Sequence, residues 1–297
     1  MKTNKTYSFI LLIILSCNLF AQDNSDFLFF ESRLQTLANK ILTATNDSLK
    51  EEANKLLFED IEEVLLMRGS FHYSFENVNQ LRIITSPDNK FKLFNWVVPK
   101  SDNTFEYYAY LQIYKKRGKE QYFIKLNDIS QFVEEEQYKT FTNGDWFGAL
   151  YSDIIHNKYD NKDYYTLIGW DGNNISTTKR IVEILYFDES DVDKPIFGAP
   201  IIKMNDGTRN RMVLEYSKKV STNISYNTKE EHIVFDHLEP LEGGEIGMYE
   251  FYVPSLSYDG LTFKNGKWRL VEDIAIFNYK SQDGRQAKKI QRGLQEQ

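Results

Sequence analysis

The chain has 297 residues, 43 of them acidic and 36 basic, for a formal net charge of −7. So acidic a balance lacks the clustered Lys and Arg that hold a phosphate backbone, which excludes nucleic acid as a partner. The single cysteine, Cys17, lies near the start, so the remainder has no thiol for disulfides, thiolate zinc sites, iron–sulfur clusters or a cysteine nucleophile.

Residues 1–21 read as a secretory signal peptide. Lys2 and Lys5 form a basic head without acids, Ser8–Leu15 is an apolar run, and Leu19-Phe20-Ala21 leads into polar Gln22. The run is shorter than the roughly 20 apolar residues that a transmembrane helix needs, so no membrane span is expected. Cleavage after Ala21 would leave an exported, periplasmic or secreted protein. Ile14-Leu15-Ser16-Cys17 also loosely resembles a lipobox, and processing there would anchor the chain in the outer membrane through a lipid on Cys17. Leu15 is an uncommon residue before the serine, and Leu19-Phe20 continues the apolar character, which favours plain cleavage.

Residues 22–70 are expected to form a helical hairpin, over about 26–68. Phe27, Phe30, Leu34, Leu37 and Ile41 recur at steps of three and four, one face of an α-helix. Asn46-Asp47 interrupts the pattern. Ser48-Leu49-Lys50-Glu51 fits a capping box, after which Leu49, Ala53, Leu56, Leu57, Ile61, Val64 and Leu65 resume the stripe, with Gly69 as a stop. The stripe is expected to pack on the sheet that follows.

From Phe71 the period becomes two and stays so to about residue 278. Alternating runs cover 91–98 and 105–114, then Trp146–Ile155, Tyr164–Trp170, Ile181–Phe187, Ile196–Ile202, Arg211–Tyr216, Val220–Tyr226, His232–Phe235, Met248–Val253, Leu261–Phe263 and Trp268–Val271. Asn127–Lys139 is the one stretch with helical character. The separators Ser86-Pro87-Asp88-Asn89, Asn143-Gly144-Asp145, Asp171-Gly172-Asn173, Asp206-Gly207, Asp259-Gly260 and Asn265-Gly266 have hairpin-turn chemistry. Short turns without crossover helices mean antiparallel pairing. The heavy load of Phe (21), Tyr (19) and Trp (4) suits pleated sheets. The fold class is therefore mainly β with an N-terminal helical hairpin: an antiparallel meander that closes as a sandwich or barrel. A propeller-like arrangement is the weaker alternative, since no repeat of fixed period appears. Residues 279–297 lose the apolar pattern and read as a disordered tail.

Candidate site residues come from two strings. In Gly169-Trp170-Asp171-Gly172-Asn173-Asn174, Trp170 could stack on a sugar or peptide ring while Asp171 and Asn173 hydrogen-bond it; a turn explains the same residues. In His232-Ile233-Val234-Phe235-Asp236-His237, His232 and Asp236 share a strand face, and a His–Asp pair is the raw material of a general base. A solvated strand end is the better account of the same residues. The acidic runs 188–193 and 160–163 offer hard oxygen ligands but match no EF-hand loop. Carboxylate pairs for glycan hydrolysis would be sought among Asp171, Asp236, Glu245 and Glu250. GxSxG, GxxxxGK[ST], GxGxxG and HExxH are all absent, so no catalytic residue, cofactor or metal is implied.

The strings Ser86-Pro87-Asp88-Asn89-Lys90-Phe91 with Trp96, Gly169 through Asn174, Val234 through Leu238, Tyr258 through Leu261 and Asn265-Gly266-Lys267-Trp268 together resemble a group of uncharacterised secreted proteins of Gram-negative bacteria. The resemblance covers most of the chain after the leader. It implies export and carries no activity or site. The resulting expectation is an exported cell-envelope protein, a non-catalytic binding or structural component whose partner is an envelope constituent or a glycan. A carboxylate-dependent hydrolase of glycans or peptides is the alternative.

Overall fold

The computed structural model describes residues 25–115, 120–188 and 194–274. The leader with Cys17, the acidic residues 189–193 and the tail 279–297 lie outside them.

Helix α1 (25–43) and helix α2 (Asp47–Leu66) form the expected hairpin. The cap of α2 falls two residues ahead of Ser48: Asn46 accepts the Leu49 N–H at 3.0 Å. An asparagine side chain placed there satisfies a first-turn donor before Ser48 can. Arg33 clamps the two helices with a bidentate pair to Asp60 at 2.7 and 2.8 Å. No helix among the described residues is long and apolar enough to cross a membrane.

Among the described residues sixteen strands follow, in three sheets. Sheet 1 is the meander β1 (Arg82–Thr85), β2 (Phe91–Pro99), β3 (Phe105–Lys115) and β4 (Glu120–Leu126). Sheet 2 runs β5 (Phe141–Thr142), β9 (Pro195–Phe197), β8 (Thr177–Phe187), β7 (Lys162–Asp171) and β6 (Leu150–Tyr159), and β12 (Arg211–Ser217) pairs with the first half of β8. Sheet 3 has the order β11 (Gly207–Arg209), β10 (Ile202–Met204), β16 (Lys267–Val271), β15 (Tyr252–Lys264), β14 (His232–Pro240) and β13 (Ile224–Asn227). Every strand pair is antiparallel except β10 with β16.

The layers stack as helices, sheet 1, sheet 2 and sheet 3, and three apolar cores fill the gaps. On β2 and β3 the even residues Phe94, Trp96, Val98 and Tyr110 meet Leu34, Leu57, Ile61 and Leu65 of the helices. The odd residues Phe91, Leu93, Tyr107, Leu111 and Ile113 meet Ile154, Leu167, Ile181 and Phe197 of sheet 2. The far side of sheet 2, with Ile168, Val182 and Met212, packs on Ile233, Phe235, Leu261 and Trp268 of sheet 3. Burial on both faces explains why β2 carries large apolar residues at odd and even positions alike. The sheets form a stacked sandwich and no barrel closes.

Several sequence expectations need correction. Asn127–Lys139 holds two short 3-10 turns, Ser130–Phe132 and Glu136–Tyr138, and no α-helix. Its backbone is drawn into tertiary bonds instead: Asn127 and Ile129 donate to Asn143 and Trp146, and Arg211 takes the carbonyls of Glu136 and Lys139. Those bonds compete directly with the i→i+4 ladder. Asp259-Gly260 is no turn but lies inside β15, where a Cβ on Gly260 would come within 2.6 Å of the Ile233 carbonyl. The β10–β11 turn is Asn205-Asp206, one residue ahead of the Asp206-Gly207 expected. By contrast, Asn265-Gly266 makes the expected two-residue hairpin, with φ of 52° and 73°.

Candidate ligand-binding cleft

The Gly169–Asn174 string ends β7, and its polar groups turn inward. Asp171 is buried and accepts from the Tyr107 hydroxyl and the Asn173 N–H, each at 2.7 Å. Burial pushes its carboxyl up from the ordinary value, against the pull of the Tyr107 hydrogen bond. Gly172 N–H donates to the Tyr107 hydroxyl at 2.8 Å, and Asn173 Nδ2 donates to Thr177 and Glu215. Trp170 is half-buried, edge-on to Phe105. The connection is also longer than a tight hairpin. Strand β8 starts only at Thr177, and the left-handed residue is Asn173, not Gly172.

Asp236 and His237 lie on sheet 3, and each has its own partners. Asp236 accepts from the Asn223 N–H at 2.6 Å and the Thr222 hydroxyl at 3.1 Å. His232 contacts the Glu230 carbonyl instead of Asp236. His237 Nδ1 pairs with Asp259 Oδ2 at 2.6 Å, and the other oxygen of Asp259 accepts the Asp273 N–H. The Asp259 hydrogen bond holds the imidazole above its ordinary value. Glu245 and Glu250 are exposed on the loop after β14. The residues singled out in the sequence are thus engaged by partners of their own, on two different sheets.

A pronounced concavity lies elsewhere, at one end of the sheet 1–sheet 2 interface. It opens between the neighbouring ends of β3 and β4, β6 and β7, and β8 and β9, with a volume of about 880 Å³. Phe91, Ile113, Tyr114, Tyr122, Tyr186 and Phe187 form its apolar walls, and Lys90 and Asp163 lie on its polar side.

Behind that polar side lies a charged cluster. The Ser86–Asn89 turn brings in Asp88, β6 brings His156, and β7 brings Asp163 and Tyr165. His156 Nε2 is 2.9 Å from Asp163 Oδ1 and 3.8 Å from Asp88 Oδ2. Lys90 Nζ is 2.6 Å from Asp163 and 3.3 Å from Asp88. Tyr165 donates to Asp88 at 2.8 Å, and its ring stacks on His156. Burial pushes both carboxyls up, but the hydrogen bonds and the neighbouring Lys90 and His156 win and hold both below the ordinary value. Asp88, His156 and Asp163 present donor atoms within 4.8 Å of one another, the spacing of a metal-ligand set. The Lys90 ammonium supplies the positive charge between the two carboxylates.

Neither the cleft nor the cluster was found from the sequence. Asp88 appears there only as a turn residue, Asp163 only as the end of an acidic run with oxygen ligands, and His156 shows no ligand spacing. They meet because sheet 1 stacks on sheet 2, which no local pattern encodes. Compared with known proteins, the chain matches no family model, no curated protein and no solved structure, so the resemblance noted above stays a reading of the sequence.

Proposed function

We propose that the protein is an exported component of the cell envelope that binds a ligand, without catalysis, in the cleft at the end of the sheet 1–sheet 2 interface. The cleft itself carries this reading. Its volume falls within the roughly 300–1,000 Å³ usual for ligand sites, and aromatic walls with a few polar groups at one side are the usual lining. Tyr122 and Tyr186 bring aromatic rings to the cleft, and Asp163 and Asn161 offer hydrogen bonds to a ring's substituents. That chemistry suits a glycan, and a peptide ring is the second choice.

A carboxylate-dependent hydrolase has less behind it. Asp88 and Asp163 are both held ionised, so neither keeps a proton to give a leaving group at neutral pH. Export rests on the basic head and apolar run of residues 1–21, and N-terminal sequencing of the mature protein decides between a start at Gln22 and a lipidated Cys17.

The test of the binding reading is a titration calorimetry panel of envelope glycan fragments and short aromatic peptides against the full chain. Tyr122→Ala and Tyr186→Ala should each weaken the best ligand about tenfold, one stacking contact's worth. If no fragment binds, or if both variants bind as well as the parent, the cleft is not the ligand site.

A further inference from the structure

Strands β14 and β15 run on past the rest of sheet 3. Strand β13 pairs with β14 only over His232–Phe235, and β16 pairs with β15 only from Gly260 onward. Residues 238–240 and 252–254 therefore make a two-stranded ribbon beyond β13 and β16, closed by the loop 241–251, whose 3-10 turn at Tyr249–Phe251 lies against β12. The loop is internally bonded: Leu241 N–H to the Phe251 carbonyl, Gly244 N–H to Leu241, Met248 N–H to Glu245, and Phe251 N–H to Met248. Gly243 and Gly247, at φ of 90° and 92°, allow its two sharp bends.

The side chains of this arm are the wrong kind for a solvent loop. Ile246 is 94% exposed and Leu256 86%, and Leu241, Met248, Tyr249 and Phe251 are exposed as well. None of the residues 238–256 belongs to any of the three cores. Ile246 and Leu256 in particular stay uncovered, and a cluster of exposed large apolar side chains marks an interaction surface.

Charge selects the occupant. The arm carries Glu239, Glu242, Glu245 and Glu250 and not one Lys or Arg from Leu238 to Phe263. An anionic bilayer or a nucleic acid would be repelled. A second copy of this acidic chain would set like charges together. We infer that the arm at 238–256 docks into another envelope protein, in an apolar groove rimmed by Lys and Arg, with Ile246 as the central anchor. This surface is separate from the cleft and does not depend on what the cleft binds.

The experiment uses the full chain with a photo-reactive residue in place of Ile246, in place of Leu256, or, as a control, in place of the exposed Phe132 on the 3-10 turn at 130–132. Each is irradiated with the envelope fraction of the producing cell, and the product is mapped by mass spectrometry. The partner is then purified and its affinity measured at low and high salt. The proposal expects one partner cross-linked from 246 and 256 but not from 132, through a peptide rich in Lys, Arg and apolar residues. Ile246→Asp and the pair Glu242→Lys with Glu245→Lys should each weaken it about tenfold or more, and salt should weaken the parent but not the charge-reversed variant. Because all these positions are exposed, an unchanged melting temperature and unchanged cleft binding confirm that the fold is kept. No product specific to 246 and 256, a product between two copies of this chain, capture by lipid vesicles, or an affinity untouched by the substitutions each overturns it.

Discussion

The Arg211 guanidinium donates through Nε to Glu183 at 2.6 Å, with both side chains completely shielded from water between β12 and β8. The same arginine sits over the rings of Phe141 and Phe147 and donates to the carbonyls of Glu136 and Lys139. It therefore pins the 127–140 segment to sheet 2, replacing the helix that this segment would otherwise form. Removing one partner leaves a buried charge alone. Arg211→Ala should cost about 3–5 kcal/mol in urea denaturation. The double change Arg211→Met with Glu183→Leu should recover much of that loss. Amide exchange at 136–139 should quicken in both, since neither restores the donors; unchanged exchange there would refute the pinning role.

Lys92 is buried on the helix side of sheet 1, where its ammonium donates to the Tyr73 carbonyl at 2.7 Å between the rings of Phe71 and Phe75. Burial pushes its pKa down from 10.5 to about 8. Between those values the unfolded chain binds more protons than the folded one, so stability rises with pH across that window. The gain is about 3 kcal/mol, measured as the difference between the parent and Lys92→Met, which should lack this slope. Parallel stability curves for the two from pH 8 to 10.5 would contradict the assignment.

Gly172 is needed for space and not for a left-handed backbone. A Cβ there would lie 2.4 Å from the Phe105 ring, and its φ is not positive. Gly172→Ala should destabilise by about 1–3 kcal/mol through overpacking. In a Phe105→Ala background the same change should cost far less. A cycle showing equal penalties in both backgrounds would mean that the backbone, not the ring, sets the requirement.

His237 is held above its ordinary value of 6.5 by Asp259. A group raised on folding stabilises fully below its unfolded value, and that contribution fades as pH climbs through the raised one. The imidazole is 40% exposed, so the effect is modest. By NMR titration, Asp259→Asn should bring the His237 midpoint down and flatten the stability curve above pH 6.5. A midpoint unmoved by that change would show that Asp259 is not the cause.

The helical hairpin was legible because a stripe at steps of three and four can only be buried by a helix. Leu34, Ile41, Leu57 and Ile61 are fully covered as that spacing requires. The period-two runs likewise located most strands, and Asn265-Gly266 marked its own turn. Boundaries slipped where a side chain answered to a distant partner. Trp146 and Phe147 read as the start of a strand, yet they pack into the core from a loop, and β6 begins at Leu150. The candidate site fared worst. Trp170, Asp171, Asp236 and His237 stood out as chemistry, but Asp171 answers to Tyr107 across the sheet interface and His237 to Asp259 on the next strand.

Composition and periodicity by themselves determined that this chain is acidic, mainly β and antiparallel, headed by two helices, because those properties depend on neighbours within a few residues. Only the tertiary structure decided that the strands divide into three stacked sheets, that Asp88, His156 and Asp163 gather around Lys90, and that an aromatic cleft opens beside them. Each of these depends on pairs of residues far apart in sequence, such as Lys90 and Asp163, brought to 2.6 Å by the stacking of one sheet on another. Stacking is driven by non-directional apolar burial, which leaves no residue spacing in the sequence to be read.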